Sequence, residues 1–458
     1  MSVPLLFAAL LMRAPLRGGQ SSVPSEARVH AIVGARVEVG DGRVLEKATV
    51  VIRDGVIVAV APDAPVPAGA QVLDGKGLTL TPGFIDAWTD KGTNPPASQP
   101  NQDDAPSRAE YASAMMREAD RKGVRPELEA RTILAPTPDL DRAYRNAGFT
   151  SEMIVPPGGY LAGVGTLANL SDRMPRNAVV VPRTALSLRF DGDGGPGDYP
   201  GSLLGRIGQV RQAFEDAHWL RTTTAAYNAG GLQRPPSDPS LEALLPALDG
   251  RLPVAIEADT PAQIDRALLI ANEYRLRPII VGALQAYKRV DRLKGVPLIL
   301  GLNFGEEPKA PTKSPDDNQD DTPPDSPEML SERARLYNEA ARNAVVLNAA
   351  GIPFALSTHG SKDVGEFMTR LRAAVKNGLP RAVALRALTV DAAQILGVSR
   401  TLGTLEVGKT GNVVAFTGDF LDEKTKVKMI YVDGRRIDPE AKPTPPAPNR
   451  PAGLGDLP

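Results

Sequence analysis

From Leu252 to Phe304 the chain alternates strand and helix patterns in unbroken succession. LPVAIEAD is an apolar run of strand length. TPAQIDRALLIANEYRL follows with helical spacing, with Thr260 at the N-cap position and Pro261 at the first helical position. RPIIVGA, QAYKRVDRLKG and VPLILGLNF then read as strand, helix and strand. This spacing predicts parallel βαβ units, since a parallel neighbour needs a long crossover and a helix supplies it. Pro278-Ile279-Ile280-Val281 is apolar without alternation, as expected of a sheet covered on both faces. With 458 residues, 42% of them hydrophobic, the chain can bury one large core or two.

The flanks obey a different rule. Residues 29–80 alternate as β-strands, with hairpin signals at Asp41-Gly42 and Asp54-Gly55, and predict a small antiparallel sheet. The chain returns to β alternation in GTLEVGKTGNVVAFTG and KVKMIYVDGRRI, with a turn at Asp433-Gly434. The order is β, then repeated β/α, then β, so the two ends are expected to pair as one small domain. Between them, helices are expected over 109–122, 140–148, 203–221, 241–248, 331–350, 363–377 and 381–396. Strands are expected over 178–182 and 185–190 and in IPFALSTHG. Gly158, Gly159, Gly163 and Gly165 give a segment that either turns tightly or lets backbone approach closely.

Composition excludes several functions. The 53 basic and 54 acidic residues leave a net charge of −1, so nothing draws the chain to nucleic acid or an acidic membrane. No cysteine exists, which removes disulfides, thiolate metal sites and a thiol nucleophile. Residues 1–28 carry an apolar run, Val3 to Met12, as long as a signal-peptide core and too short to span a bilayer. No positive charge precedes it and no small-x-small cleavage site follows, so a periplasmic or secreted address and a cytoplasmic one stay equally open. No other stretch is apolar enough to be a transmembrane segment. The Asp/Gly loop at 190–202, the polar stretch 309–328 and the Pro-rich tail 439–458 read as solvated segments.

Three stretches carry a family resemblance, in the family's order. Val72 to Ala87 reads VLDGKGLTLTPGFIDA. Ala384 to Phe416 reads ALRALTVDAAQILGVSRTLGTLEVGKTGNVVAF, and Val427 to Ile437 reads VKMIYVDGRRI. Together these resemble the amidohydrolase superfamily, and the middle of the chain looks most like its imidazolonepropionase-like branch. The resemblance implies an α/β chain: a distorted (β/α)8 barrel over 81–399 and a composite β-sandwich from 29–80 and 400–438. It also implies hydrolysis of C–N bonds in non-peptide or cyclic amides, at a zinc or other divalent metal.

In the family, metal ligands follow barrel strands: His-x-His on the first, Lys or Glu on the fourth, His on the fifth and sixth, Asp on the eighth. Carried over, the first pair falls on Trp88 and Asp90. The fifth and sixth fall on Glu257 and Gly282, and the eighth on His359. The fourth has no clear counterpart. The chain holds three histidines in all, His30, His218 and His359. Zinc needs three or four nitrogen or sulfur ligands, so no metal and no cofactor is expected. An oxygen-only magnesium or calcium site from Asp90, Glu257 and loop aspartates is the alternative. Without metal the hydrolytic water loses its activation.

The resulting expectation is a catalytically impaired amidohydrolase relative, a pseudoenzyme. One alternative is a divergent hydrolase in which Asp90 or Glu257 acts as base and His359 as acid. Another is a ligand-binding or assembly partner of an active paralogue, or a homo-oligomer. Trp88 and Gly282 would line the pocket for a small molecule, with the indole filling the volume a metal would use. The bland readings are a backbone-bonded Asp90, a Glu257 paired with a barrel arginine, and a His359 that is merely polar.

Overall fold

The computed structural model describes residues 29–94, 123–190, 202–230, 233–308 and 326–439. Residues 1–28, the expected helix over 109–122 and most of the polar segments at 190–202, 309–328 and 439–458 lie outside them. Among the described residues the architecture is mixed α/β, and its strands form three sheets.

The first sheet joins the two ends of the chain. Its early strands are β1 (Val29–Glu38), β2 (Val44–Arg53), β3 (Val56–Ala61), β4 (Gln71–Asp74) and β5 (Thr79–Pro82). Its late strands are β16 (Val413–Phe416), β17 (Val427–Val432) and β18 (Arg435–Ile437). The order is β18-β17-β16-β5-β1-β2-β3, with β4 also on β1. Antiparallel pairing of Val413 with Pro82 and Val414 with Thr81 makes the join. The expectation of a purely antiparallel sheet fails, because β1 pairs in parallel with both β4 and β5. The connection from β3 to β4 is long enough to return the chain to the same end of the sheet. Asp54 and Gly55 both have positive φ, as the tight β2–β3 hairpin turn requires.

The middle of the chain builds the other two sheets. One contains β6 (Phe84–Thr89), β7 (Phe149–Ile154), β9 (Thr166–Asn169) and β10 (Val179–Val181) in the order β10-β9-β7-β6. The other contains β8 (Leu161–Val164), β11 (Leu186–Leu188), β12 (Val254–Ala258), β13 (Pro278–Gly282), β14 (Leu298–Leu300) and β15 (Phe354–Leu356). From β11 to β15 each strand pairs in parallel with the next. Alternate residues from both sheets, such as Ile85, Met153, Ala255, Val281, Ile299 and Ala355, share one inner cluster. The intervening residues, such as Ile256, Ile280, Leu298 and Phe354, pack outward under helices.

Those helices are α1 (Pro138–Asn146), the short α2 (Pro175–Ala178), α3 (Leu203–Asn228), α4 (Pro239–Leu248) and α5 (Pro261–Glu273). After them come α6 (Pro327–Ala341), α7 (Asn343–Ala349), α8 (Val364–Lys376), α9 (Arg381–Leu388) and α10 (Val390–Ile395). Thr260 and Gln263 complete a capping box at the start of α5. Among the described residues no helix is long and apolar enough to cross a membrane.

Three helix expectations need correction. QAYKRVDRLKG forms only a 3-10 turn at Ala286–Lys288, because this charged stretch buries Ala286 and Leu293 and little else. The helix over 331–350 breaks at Arg342. There the buried Asn343 side chain turns away to donate to the Ala283 carbonyl at 2.9 Å and accept from the Tyr287 N–H at 2.9 Å. The helix over 381–396 breaks at Thr389, whose φ of −130° and ψ of −83° are not helical. The glycine-rich segment resolves toward close approach: a Cβ on Gly159 would meet the Gly123 carbonyl, and one on Gly163 the Leu128 carbonyl.

Candidate functional site

Side chains at the ends of the inner-facing rows come together at the C-terminal ends of the parallel strands. Along β11 the inner row runs Ala185, Ser187, Arg189. On β12 it runs Ala255, Glu257, and beyond β15 it runs Ala355, Ser357, His359. Arg189 Nη2 lies 3.3 Å from Glu257 Oε1, and His359 Nε2 lies 3.9 Å from Glu257 Oε2. These side chains keep 14%, 19% and 28% of their surface, so solvent reaches all three. Burial pushes the Glu257 carboxyl above its ordinary range; Arg189 and then His359 pull it back, and Asp259 and Asp90 push it further up.

Trp88 enters the same interior by a local irregularity. The parallel register of β6 on β7 shifts between Asp86 and Thr89. Both Ala87 and Trp88 then join the inner cluster, although strict alternation would put them on opposite faces. The indole is fully buried. Gly282 ends β13 with φ of +82°, and a Cβ there would meet Asp259 Oδ1 at 2.2 Å. The Asp259 carboxylate therefore fills the space into which a side chain at position 282 would point. Asp90 is exposed; its backbone carbonyl accepts from the Thr93 hydroxyl at 3.0 Å, and its charge is felt at Glu257.

Of the sequence candidates, the fold brings Glu257 and His359 together, sets Asp90 at the edge of their field and buries Trp88 in the inner cluster. Arg189 was missed, yet one signal was present: in ALSLRF it shares the face of Ala185 and Ser187. Asp259 was missed because its position against Gly282 depends on the pairing of β12 with β13. His218 lies exposed on α3, with Nδ1 3.3 Å from an Arg221 nitrogen, and His30 packs edge-on to Tyr431 in the first sheet. Neither belongs to the site.

A second polar cluster backs this one on the outer side of β6 and β7. Asp86 and Glu152 are register partners on adjacent strands, and both are fully buried. Asp86 accepts from the Thr358 N–H, the Thr358 hydroxyl and the Trp88 N–H. Burial nevertheless pushes its carboxyl up to about 6. Burial also pushes Glu152 well up, with further pushes from Asp86 and Asp141 and a smaller opposing pull from Lys91. Lys91 Nζ donates to the Ser361 and Lys362 carbonyls, each at 3.1 Å.

The inner donor set does not suit a divalent metal of the zinc type. Glu257 and His359 offer one carboxylate and one imidazole beside the Arg189 guanidinium; Asp259 packs against Gly282, Asp90 lies exposed, and Trp88 and Gly282 add no donor. Among the described residues no three histidine, aspartate or glutamate side chains are grouped closely enough to hold a metal ion.

Comparison with known proteins gives a consistent picture. Residues 331–437 match the family model described as Amidohydrolase family. The amidohydrolase tasK of Hapsidospora irregularis is 22% identical over 415 residues, 84% of this chain. This chain spans 39% of the length of that curated relative. Among solved structures, an amidohydrolase from Thermotoga maritima superposes with a TM-score of 0.71 at 22% identity, covering 89% of this chain and 99% of its own. A prolidase complexed with N-methylphosphonate-L-proline superposes with a TM-score of 0.53 at 18% identity, covering 90% of this chain and 99% of its own.

Proposed function

We propose, for a chain whose similarities support the amidohydrolase superfamily, that the metal centre has given way to a metal-free ion-pair array and that the protein binds a small molecule without hydrolysing it by the family's metal route. The strands β6, β7 and β11 to β15 read as members of a distorted (β/α)8 barrel, with β15 returning beside β6. Counted back from β15 as the eighth barrel strand, β11 is the fourth, and Arg189 falls where the family carries Lys or Glu.

One observation carries the reading: the Arg189–Glu257–His359 array. A fixed guanidinium charge stands among the positions that elsewhere hold a cation, and Glu257 is already engaged with it. Trp88 and Asp259 support the same reading, since each fills space that a ligand side chain or its metal would need. With no activated water, the family's metal-dependent reaction has no nucleophile.

The test is elemental analysis of purified protein together with a hydrolysis screen of cyclic amides and dipeptides. The expected result is less than about a tenth of a mole of zinc, manganese, iron or nickel per mole of chain, and no turnover. Stoichiometric metal that is lost with activity on chelation would overturn the proposal.

A second reading, a divergent metal-free hydrolase, draws on the nearness of His359 to Glu257. In it the carboxylate, raised by burial, acts as base and the imidazole as acid. Turnover of any substrate in the screen, abolished in both Glu257→Gln and His359→Asn, would select it.

A further inference from the structure

The interactions of Glu257 are incomplete, and the way in which they fall short is informative. Its approach to Arg189 is a single 3.3 Å ion pair, and its approach to His359 stops at 3.9 Å, beyond hydrogen-bond length. Glu257 Oε1 and Arg189 Nε are both buried and have no hydrogen-bond partner. A guanidinium offers a planar fork that carboxylates fill with two parallel hydrogen bonds of about 2.7–2.9 Å. Here the fork faces a carboxylate that does not fill it. The arrangement leaves one buried donor atom and one buried acceptor atom unfilled, which disfavours it.

Resting on the metal-free reading above, we propose that Glu257 is a placeholder for the carboxylate of a small-molecule ligand, which displaces it and binds Arg189 bidentately with His359 as a further donor. The ligand class is an organic monocarboxylate. Charge balance favours exchange over simple addition. Asp90 and Asp259 already act on this corner, so a second full negative charge beside Glu257 would be repelled. If Glu257 takes up a proton as the ligand enters, the charge facing Arg189 stays constant. The upward push of burial on Glu257 makes that uptake easier. Binding is then coupled to proton uptake and tightens as pH falls.

The test is isothermal titration of the full chain with N-acetylglycine, using uncharged N-acetylglycinamide as control. The expected result is binding of the acid at least about tenfold tighter than of the amide, strengthening as pH falls. Arg189→Gln should bring the acid down to the level of the amide. Glu257→Gln, with its placeholder charge removed, should bind the acid about tenfold tighter and with a weaker pH dependence, His359 being the titratable donor that remains. A purely structural ion pair would instead weaken binding in both variants. Should Arg189→Gln fail to fold, the double variant Arg189→Gln/Glu257→Gln removes the stranded charge and must show the same loss. Equal binding of acid and amide, or weaker binding in Glu257→Gln, overturns the placeholder. If this happens in protein shown to be metal-free, the broader reading survives; bound metal overturns that reading itself.

Discussion

Thr358 donates twice to Asp86, from its N–H to Oδ1 at 3.0 Å and from its hydroxyl to Oδ2 at 2.6 Å. The two residues are 272 apart in sequence, and no backbone ladder joins their strands. Tyr144 adds a third member, with its hydroxyl 2.9 Å from Thr358 Oγ1. Together with the Lys91 bonds to the Ser361 and Lys362 carbonyls, this side-chain clasp ties the segment after β15 to β6 and the residues that follow it, and the next residue along that segment is His359.

Asp86→Ala removes the acceptor of three hydrogen bonds, leaving the buried Thr358 and Trp88 N–H groups without it and the Thr358 hydroxyl with Tyr144 alone. The expected loss is about 3 kcal/mol of unfolding free energy. Urea denaturation measures it. A loss below about 1 kcal/mol would mean that the clasp is not what holds β6 to β15.

Glu152→Gln tests the buried acidic pair. The folded-state pKa of Glu152 is raised above its unfolded value. Its contribution is therefore complete below about pH 4.5 and is lost as pH rises through the folded pKa. The neutral variant should lack that decline, so its stability advantage over the natural protein should grow with rising pH across this window. Parallel pH–stability curves for the two proteins would contradict the assignment.

Trp88→Ala should cost about 3–5 kcal/mol, as expected for truncating a fully buried aromatic side chain. Thermal or urea unfolding reads this directly. A cost under about 1 kcal/mol would show that the indole does not fill the interior.

Gly83→Ala should destabilise by about 1–3 kcal/mol through overpacking. A Cβ at this position would lie 2.0 Å from Thr150 Oγ1, on the wall between the end-joining sheet and β7. Glycine is needed here for space. In the background of Thr150→Ala much of the loss should return, which a double-mutant cycle would detect. Additive losses would point to a backbone cause instead.

Much of the architecture could be read from local pattern. The strand, helix and strand from Val254 to Gly282, the hairpin at Asp54-Gly55 and the cap at Thr260 are short-range signals, and the fold keeps them. The helix breaks at Arg342 and Thr389 were not legible, because periodicity continues through both. At Arg342 the break comes from Asn343 finding partners at Ala283 and Tyr287, more than fifty residues away.

The same division holds at the site. From the sequence, Trp88, Asp90, Glu257, Gly282 and His359 are expected where the resembled family carries metal ligands, and three histidines are too few to fill such a set. What surrounds these residues could be read only from how the strands pair. The β11–β12 pairing sets Arg189 against Glu257, the β12–β13 pairing sets Asp259 over Gly282, and a register shift turns Trp88 inward. The physical reason is that residue identity is local, whereas strand register places side chains against neighbours distant in sequence and a shift of one residue exchanges the two faces.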